Sequence, residues 1–147
     1  MAKGKVLVVD DEPGIVAIVQ TNLEAEGYSV VAAADGEEAL RRVQEEHPDL
    51  VILDVMMPVM DGWQVLERLE RDEKTAGLPV IMLTAKAQDE DILQGLEQGA
   101  VEYMTKPFYP EDLAASVTLL LSVFDRGLRE KRRQELIAKR KRLISLR

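Results

Sequence analysis

Five short, almost wholly apolar runs alternate along the chain with longer segments of helical periodicity, and this alternation limits the possible folds more than any other feature. The runs are KVLVV (5–9), YSVVAA (28–33), DLVILD (49–54), PVIMLT (79–84) and a short strand within EYMTKP (102–107). Strands that are apolar on both faces are typical of parallel sheets covered by helices on both sides. The pattern therefore predicts an α/β fold built on a five-stranded parallel sheet.

Capping patterns and turn residues delimit the predicted helices. Asp35 with Glu38, and Asp61 with Gln64, have the spacing of a capping box. We interpret Asp61 as a helix N-cap without a catalytic role. The helices are predicted over about 13–26, 35–47, 61–71 and 88–98, and from Pro110 along the apolar stripe Leu113, Val117, Leu120, Leu121 and Phe124.

Composition excludes several classes of protein. The chain of 147 residues has no cysteine, so it has neither a disulfide framework nor a thiolate metal site. No apolar stretch approaches the length of a membrane span, and the N-terminus lacks the layout of a signal peptide. We expect a cytoplasmic protein without a membrane partner.

Charge divides the chain into two parts. Residues 125–147 contain ten Lys/Arg and three Asp/Glu, a net charge of +7, whereas residues 1–124 contain nine and twenty-four, a net charge of -15. We expect a globular domain over 1–124 and a basic helical extension or linker over 125–147.

Chemically active side chains stand where four of the predicted strands end. They are Asp10 and Asp11, Asp54, Thr84 and Lys106. In a parallel sheet the carboxyl ends of the strands lie at one edge, where such folds place their binding sites. We expect these side chains to surround one small pocket.

Three carboxylates in one pocket repel one another unless one takes a proton or a cation binds. Mg²⁺ suits an all-oxygen site that needs only a few protein ligands. With a phosphoryl donor, the Asp54 carboxylate can act as a nucleophile while Lys106 and Thr84 contact the phosphoryl oxygens. The sequence therefore predicts phosphoryl-transfer chemistry.

At these residues the sequence resembles the receiver domain of two-component response regulators, the family of the chemotaxis response regulator. The motifs VVDDE (8–12), ILDVMMPVMDG (52–62), MLTA (82–85) and YMTKPF (103–108) occur in the order and at the spacing of that family. The resemblance covers roughly residues 4–124. It implies a doubly wound, flavodoxin-like sheet of strand order 2-1-3-4-5 with helices on both faces.

The resemblance also implies a role for each matching position. Asp54 would be the phosphoacceptor, with Thr84 and Lys106 contacting the phosphoryl group. The implied Mg²⁺ ligands are Asp11 directly, Asp10 through water, Asp54 and the backbone carbonyl of Met56. Thr84 and Tyr103 would form the switch, and the Lys106–Pro107 peptide would be cis. Taken alone, Glu12 is interpreted as charge at a helix N-terminus, His47 as a surface or capping residue and Trp63 as packing.

The function that the resemblance implies is a phosphorylation switch. The donor would be the phosphohistidine of a histidine kinase or phosphotransfer protein, and the response a change in the face formed by the fourth helix, fifth strand and fifth helix. We expect a signalling module that catalyses only its own phosphorylation and dephosphorylation, not an enzyme. The alternative is a phosphatase or mutase of the haloacid dehalogenase type, but Met56 stands where that class has its second acid.

The basic segment 125–147 leaves three interpretations open. The segment can prolong the fifth helix beyond Gly127. It is a solvated helical linker to a larger output protein, it pairs with a second copy as a dimer helix, or it contacts nucleic acid or an acidic partner. Its apolar positions are Leu128, Leu136, Ile137, Leu143 and Ile144. We favour a linker or a dimer helix, with a homodimer formed through this segment or through the face named above. The segment is too short for a helix-turn-helix domain, so no sequence-specific DNA binding is expected.

Overall fold

A five-stranded parallel sheet forms the centre of the computed structural model, which describes residues 2–123 and 125–147. The strands are β1 (Lys5–Val9), β2 (Ser29–Ala33), β3 (Leu50–Leu53), β4 (Val80–Thr84) and β5 (Glu102–Thr105). Their order is β2-β1-β3-β4-β5, and every neighbouring pair is parallel. The predicted fold class and strand order are confirmed.

Helices cover both faces of the sheet. They are α1 (Pro13–Ala25), α2 (Gly36–Glu46), α3 (Gly62–Arg71), α4 (Asp89–Glu97), α5 (Pro110–Thr118) and α6 (Arg126–Ser145). Side chains of alternating parity along β1 and β3 enter two separate cores, one with α1 and α5 and the other with α2 and α3. Among the helices of the described residues, none combines the length and apolar character needed to cross a membrane.

Local signals in the sequence fix several helix ends. Asp61 and Gln64 form the predicted capping box of α3, in which each side chain accepts a hydrogen bond from the other residue's backbone amide. Asp35 caps α2 by accepting a hydrogen bond from the Glu38 amide at 2.8 Å. His47 ends α2 in the left-handed conformation, with φ 48, so it is a C-cap.

The fifth helix does not continue through Gly127, a continuation that the sequence had left open. α5 ends at Thr118 and is followed by a stretch of wider, π-helical turns over Leu119–Val123. A new helix, α6, then begins after Asp125, whose extended backbone and side-chain hydrogen bond to the Leu128 amide (2.8 Å) form an N-cap. Gly127 therefore lies in the first turn of α6 rather than in a helix interior. Phe124, placed on the apolar stripe by the sequence, lies outside the described residues.

Glu70, near the end of α3, lies beside the first turns of α6 in a cavity of about 240 Å³ that also receives Arg126 and Arg133. Burial raises its pKa to about 7; Arg133 and Arg126 oppose this shift and Glu130 adds to it. The folded protein therefore holds a proton here between about pH 4.5 and 7 that the unfolded chain releases. The contribution of Glu70 to stability falls as the pH rises through this window and is level above it.

We expect Glu70→Gln to be more stable than the parent at pH 8, by about 1 kcal/mol once the shift is discounted for partial exposure. The advantage should be absent at pH 4, where the acid is protonated in both states. Urea unfolding at both pH values measures this difference. Glu67→Gln, one turn away on an exposed part of α3, is the control and should show no such pH-dependent gain. An equal gain at both pH values in Glu70→Gln would exclude titration as its cause.

Candidate functional site at the carboxyl edge of the sheet

Backbone hydrogen bonds of the sheet position the residues that follow the strands. The Asp10 amide donates to Ala33 O at 3.0 Å, and the Asp54 amide donates to Val9 O at 3.0 Å. On the other side, the Lys106 amide donates to Thr84 O at 2.8 Å. The ladder therefore extends one residue beyond the strands and fixes the backbones of the predicted site residues at the same edge.

The Lys106 ammonium occupies the centre of the acidic cluster. Its Nζ lies 2.8 Å from an Asp10 carboxylate oxygen, 3.1 Å from Asp54 and 3.2 Å from Glu12. The side chains of Asp10 and Asp54 are only 3% and 4% exposed, and that of Lys106 is 12% exposed. Residues separated by as many as 96 positions thus meet in one place, and the lysine neutralises part of the charge that the sequence assigned to a cation.

Burial and charge act in opposite directions on these groups. Burial raises the pKa of Asp10, against the lowering effect of hydrogen bonds from Lys106 and from the Glu12 amide. Burial would lower the pKa of Lys106, but the hydrogen bonds to Asp10 and Asp54 prevail and hold it above its usual range. The lysine is therefore a permanent cation at neutral pH.

The acidic cluster has the composition of a hard-cation site. Asp10, Asp11, Glu12 and Asp54 each offer a carboxylate oxygen, and these oxygens all lie within 4.8 Å of one another. Oxygen donors of this kind fit Mg²⁺. The Met56 amide donates to Asp54 Oδ1 at 3.2 Å, which holds the Met56 backbone beside the Asp54 carboxylate. The Met56 side chain points outward, 57% exposed, so only its backbone is close to the acid.

Thr84 and Tyr103, the predicted switch pair, are connected through Lys86. The Thr84 side chain is fully buried, and its hydroxyl accepts a long hydrogen bond of 3.4 Å from the Lys86 amide. The Tyr103 hydroxyl donates to the Lys86 carbonyl at 2.7 Å. Burial, followed by the charges of Asp91 and Asp54, raises the pKa of Tyr103, so its hydroxyl keeps the proton it donates.

The loop after Asp54 is tightly constrained. The Gly62 amide donates to Val55 O at 2.8 Å and closes the loop against the end of β3. Val59 adopts φ 69, a conformation that β-branched residues rarely take. The Lys106–Pro107 peptide on the opposite side of the site is cis, as the resemblance implies.

Two residues near the site were assigned no such place from the sequence. Glu12 was interpreted as charge at the start of α1, yet it joins the acidic cluster and contacts Lys106. Lys86 supplies the backbone link between Thr84 and Tyr103 and lines an open cleft beside Asp11 and Trp63. The run of three acids at 10–12 was a signal for Glu12, whereas nothing in the sequence indicated the role of the Lys86 backbone.

Two curated relatives are similar to this chain over most of its length. The alkaline phosphatase synthesis transcriptional regulatory protein PhoP of Bacillus subtilis is 51% identical over 117 residues, covering 80% of this chain and 48% of the relative. The DNA-binding dual master transcriptional regulator RpaA of Synechocystis is 46% identical over 122 residues, covering 83% of this chain and 51% of the relative. The chain thus spans about half the length of the curated relatives it matches.

These relatives correct one expectation. The sequence was interpreted as offering no sequence-specific DNA binding, because residues 125–147 are too short for a helix-turn-helix domain. The relatives are named as transcriptional regulators, one of them as DNA-binding. The length of the basic segment was therefore the wrong basis for excluding DNA from the function of this group of proteins.

The fold and a family-wide comparison agree with the residue-level similarity. A crystal structure of a response regulator from Chloroflexus aurantiacus superposes with a TM-score of 0.77 at 36% identity, covering 81% of this chain and 98% of that one. The family model described as the response regulator receiver domain matches residues 6–118. That range holds every residue of the acidic cluster, the lysine and the switch pair, and the chain belongs to the response regulator receiver domain family.

Proposed function

We propose that the protein is a phosphorylation-dependent signalling switch in which Asp54 accepts a phosphoryl group from the phosphohistidine of a partner kinase or phosphotransfer protein. The observation that carries this proposal is the buried Asp54 carboxylate, 3.1 Å from the Lys106 ammonium and within the acidic cluster. A buried carboxylate at a binding edge, with a fixed cation beside it, is a suitable nucleophile for phosphoryl transfer.

In the proposed transfer, an Asp54 carboxylate oxygen bonds to phosphorus as the bond from phosphorus to the imidazole nitrogen breaks. The electron pair of that bond leaves with the imidazole. Lys106 stabilises the added negative charge, and the Thr84 hydroxyl donates to a phosphoryl oxygen. Asp10, Asp11, Asp54 and the Met56 carbonyl, with Glu12 beside them, would hold Mg²⁺, whose chemistry is to neutralise charge on the phosphoryl oxygens.

The switch step follows from the hydrogen bonds of Thr84. A phosphoryl group adds roughly -1.5 to -2 charge at neutral pH. When the Thr84 hydroxyl turns toward it, the Lys86 amide loses its acceptor and the Tyr103 hydroxyl loses a fixed partner. Phosphorylation then favours a second arrangement of Thr84 and Tyr103 by its differential interaction with that state. The proposed module acts in the cytoplasm and catalyses only its own phosphorylation and dephosphorylation.

The test is labelling by acetyl phosphate in the presence of Mg²⁺. We expect one hydroxylamine-sensitive phosphoryl group per chain, measured by intact mass, and no label in Asp54→Asn or in excess EDTA. Asp61→Asn is the matched control, because asparagine caps helices as well as aspartate does, and it should label like the parent. Persistent label in Asp54→Asn would refute the acceptor assignment.

We further propose that the output under control is transcription, as the names of the relatives indicate for those proteins. When the substitution is made in the host's own gene for this protein, we expect Asp54→Asn to change the abundance of a defined set of transcripts. Asp61→Asn should not change it. If the parent is phosphorylated but the transcript profile of Asp54→Asn is unchanged, the output is not transcription.

A further inference from the structure

The basic helix α6 packs on α4 of its own chain. Ile137, its most buried side chain at 8% exposure, forms a cluster with Ile92 and Leu96 of α4. Leu136 and Leu93 pack at the border of this cluster. Two of the apolar positions of residues 125–147, Leu136 and Ile137, thus contact α4 of the same molecule.

Charge complementarity extends along the whole contact. α4 has four acidic residues and no lysine or arginine, whereas α6 has nine basic residues and two acidic ones. Three ion pairs join α6 to the α4–β5 surface, Arg132–Glu102 (2.7 Å), Arg140–Asp89 (2.6 Å) and Lys141–Glu97 (3.8 Å), and Arg147, just past the end of α6, pairs with Glu90. Arg133 also donates to the Leu96 carbonyl at the exposed end of α4. The acidic and apolar α4–β5 surface is therefore complementary to a basic amphipathic helix.

Tyr103 lies beneath this contact and connects it to the phosphoryl site. Its ring packs against the α6 cluster as well as against the core on the α2–α3 side of the sheet. The ring also lies so close to Gly95 of α4 that a β-carbon there would be 2.8 Å from it. Its hydroxyl is bonded to Lys86, the residue that also contacts Thr84. A movement of Thr84 therefore changes the base on which α6 rests.

We propose that α6 is the resident ligand of the α4–β5 surface, docked in cis, and that phosphorylation of Asp54 releases it. The release step rests on the proposed function. The undocked state exposes both an acidic and apolar surface on α4–β5 and a helix with nine basic residues, so one event uncovers two complementary binding elements. The occupant is the segment 126–147 of the same chain rather than a segment of another protein.

The experiment is limited trypsin digestion of the full chain, followed by mass spectrometry of cleavage after Lys131 and Lys139. Because docking closes faster than the protease cuts, the cleavage rate tracks the undocked population. We expect slow cleavage with Mg²⁺ alone and at least tenfold faster cleavage with Mg²⁺ and beryllofluoride, a phosphoryl analogue. Ile137→Asp should reach the fast rate without beryllofluoride, whereas Leu143→Asp, on an exposed part of α6, should not.

A charge exchange gives a second route that does not disturb the apolar cluster. Asp89→Arg and Arg140→Asp should each accelerate cleavage after Lys131, which is not adjacent to either substitution, and the double variant should restore protection there because the pair is re-formed in reverse. Additive acceleration in the double variant would overturn docking through this pair. Circular dichroism of each variant verifies that the sheet remains folded.

Trp63 separates failure of the release step from failure of the proposed function. Its ring lies against α4 near Gly95 and beside the cleft that contains Asp11, so its fluorescence should change when beryllofluoride binds. A fluorescence change without faster cleavage overturns the release of α6 and leaves the proposed function standing. No fluorescence change refutes both. Protection that grows with protein concentration, with a dimer mass by light scattering, would show that a second copy supplies the helix and would overturn docking in cis.

Discussion

Lys106→Met is expected to destabilise the protein by about 3 kcal/mol in EDTA at pH 7, because it leaves buried carboxylates without a partner. The ammonium contacts Asp10, Asp54 and Glu12 at 2.8–3.2 Å, and two of these acids are almost fully buried. Removing one member of a buried ion pair costs more than the pair itself contributes, since the remaining charge stays desolvated. Urea unfolding in EDTA measures the loss.

The same substitution should make stability strongly dependent on divalent cations. Lys106 contacts three of the four acids of the proposed metal site, so the variant should bind Mg²⁺ more tightly than the parent. At a Mg²⁺ concentration of about 100 times its dissociation constant, binding contributes about 2.7 kcal/mol and restores most of the lost stability. Labelling by acetyl phosphate should nevertheless fall by about 10²- to 10³-fold, since a fixed cation at the transferred group is lost.

Lys86→Met is the matched control for this prediction. Lys86 stands at the same edge of the sheet, and its side chain is exposed. Its stability in EDTA should change by less than about 0.5 kcal/mol. If Lys106→Met were as stable as Lys86→Met in EDTA, the ion-pair cluster would not contribute to folding as the distances indicate.

The sheet and the location of the site were predictable because they depend on strong, local signals. Apolar runs such as those at 5–9 and 50–53 have one favourable environment, the interior of a covered parallel sheet. Once the strands are parallel, topology alone brings Asp10, Asp54 and Lys106 to one edge. The roles assigned to these residues, and the domain limits of 1–124 and 125–147, remain predictions.

The path of the chain after Thr118 was not predictable from periodicity. Because Leu120 and Leu121 continue the apolar stripe of α5, the pattern predicts a single helix. The wider turns over 119–123 and the cap at Asp125 break that helix. Asp125 is a capping residue by type, but without the usual Glu or Gln three positions later its signal is weak.

The packing of α6 on α4 could not be predicted from the sequence either. Its only deeply buried side chain is Ile137, so it lacks the broad apolar stripe that predicts packing on a core. Its contact with α4 depends on pairs such as Arg140 with Asp89, which lie 51 positions apart. Ion pairs between residues so far apart leave no periodic pattern in the sequence. The sequence therefore indicated that the chain has an acidic part and a basic part, but not that the two are in contact.

The sequence predicted that a positive charge lies among the acids, but it did not predict that Lys106 supplies this charge. Repulsion between three acids predicted that a positive charge must be present. The structure supplies Lys106 for that role and leaves the outer oxygens of Asp11 and Glu12 at the surface. Under the proposed function, a phosphoryl group and a metal ion would both compete with Lys106 for its contacts with these acids.

Gly62→Ala is expected to destabilise the protein by about 3 kcal/mol through a steric clash with the backbone of Asp54. A β-carbon at Gly62 would lie 2.1 Å from the Asp54 carbonyl oxygen and 2.8 Å from the Asp54 carbonyl carbon. Both atoms belong to backbone held by the sheet, so the contact is relieved only by moving the strand end or opening the loop. Gly62 of the motif DG at 61–62 is thus required for packing against Asp54, and the labelling expected at Asp54 under the proposed function should fall together with stability.

Gly14→Ala provides the matched comparison, because a β-carbon at Gly14 in α1 meets nothing within 4 Å. Alanine there should stabilise the helix by up to about 1 kcal/mol and leave labelling unchanged. Urea unfolding of the two variants under the same conditions gives the difference directly. Alanine should therefore lower the free energy of unfolding at Gly62 and raise it at Gly14, although both glycines lie in the first turn of a helix. An equal change in the two variants would show that helix propensity, rather than contact with Asp54, decides the outcome at position 62.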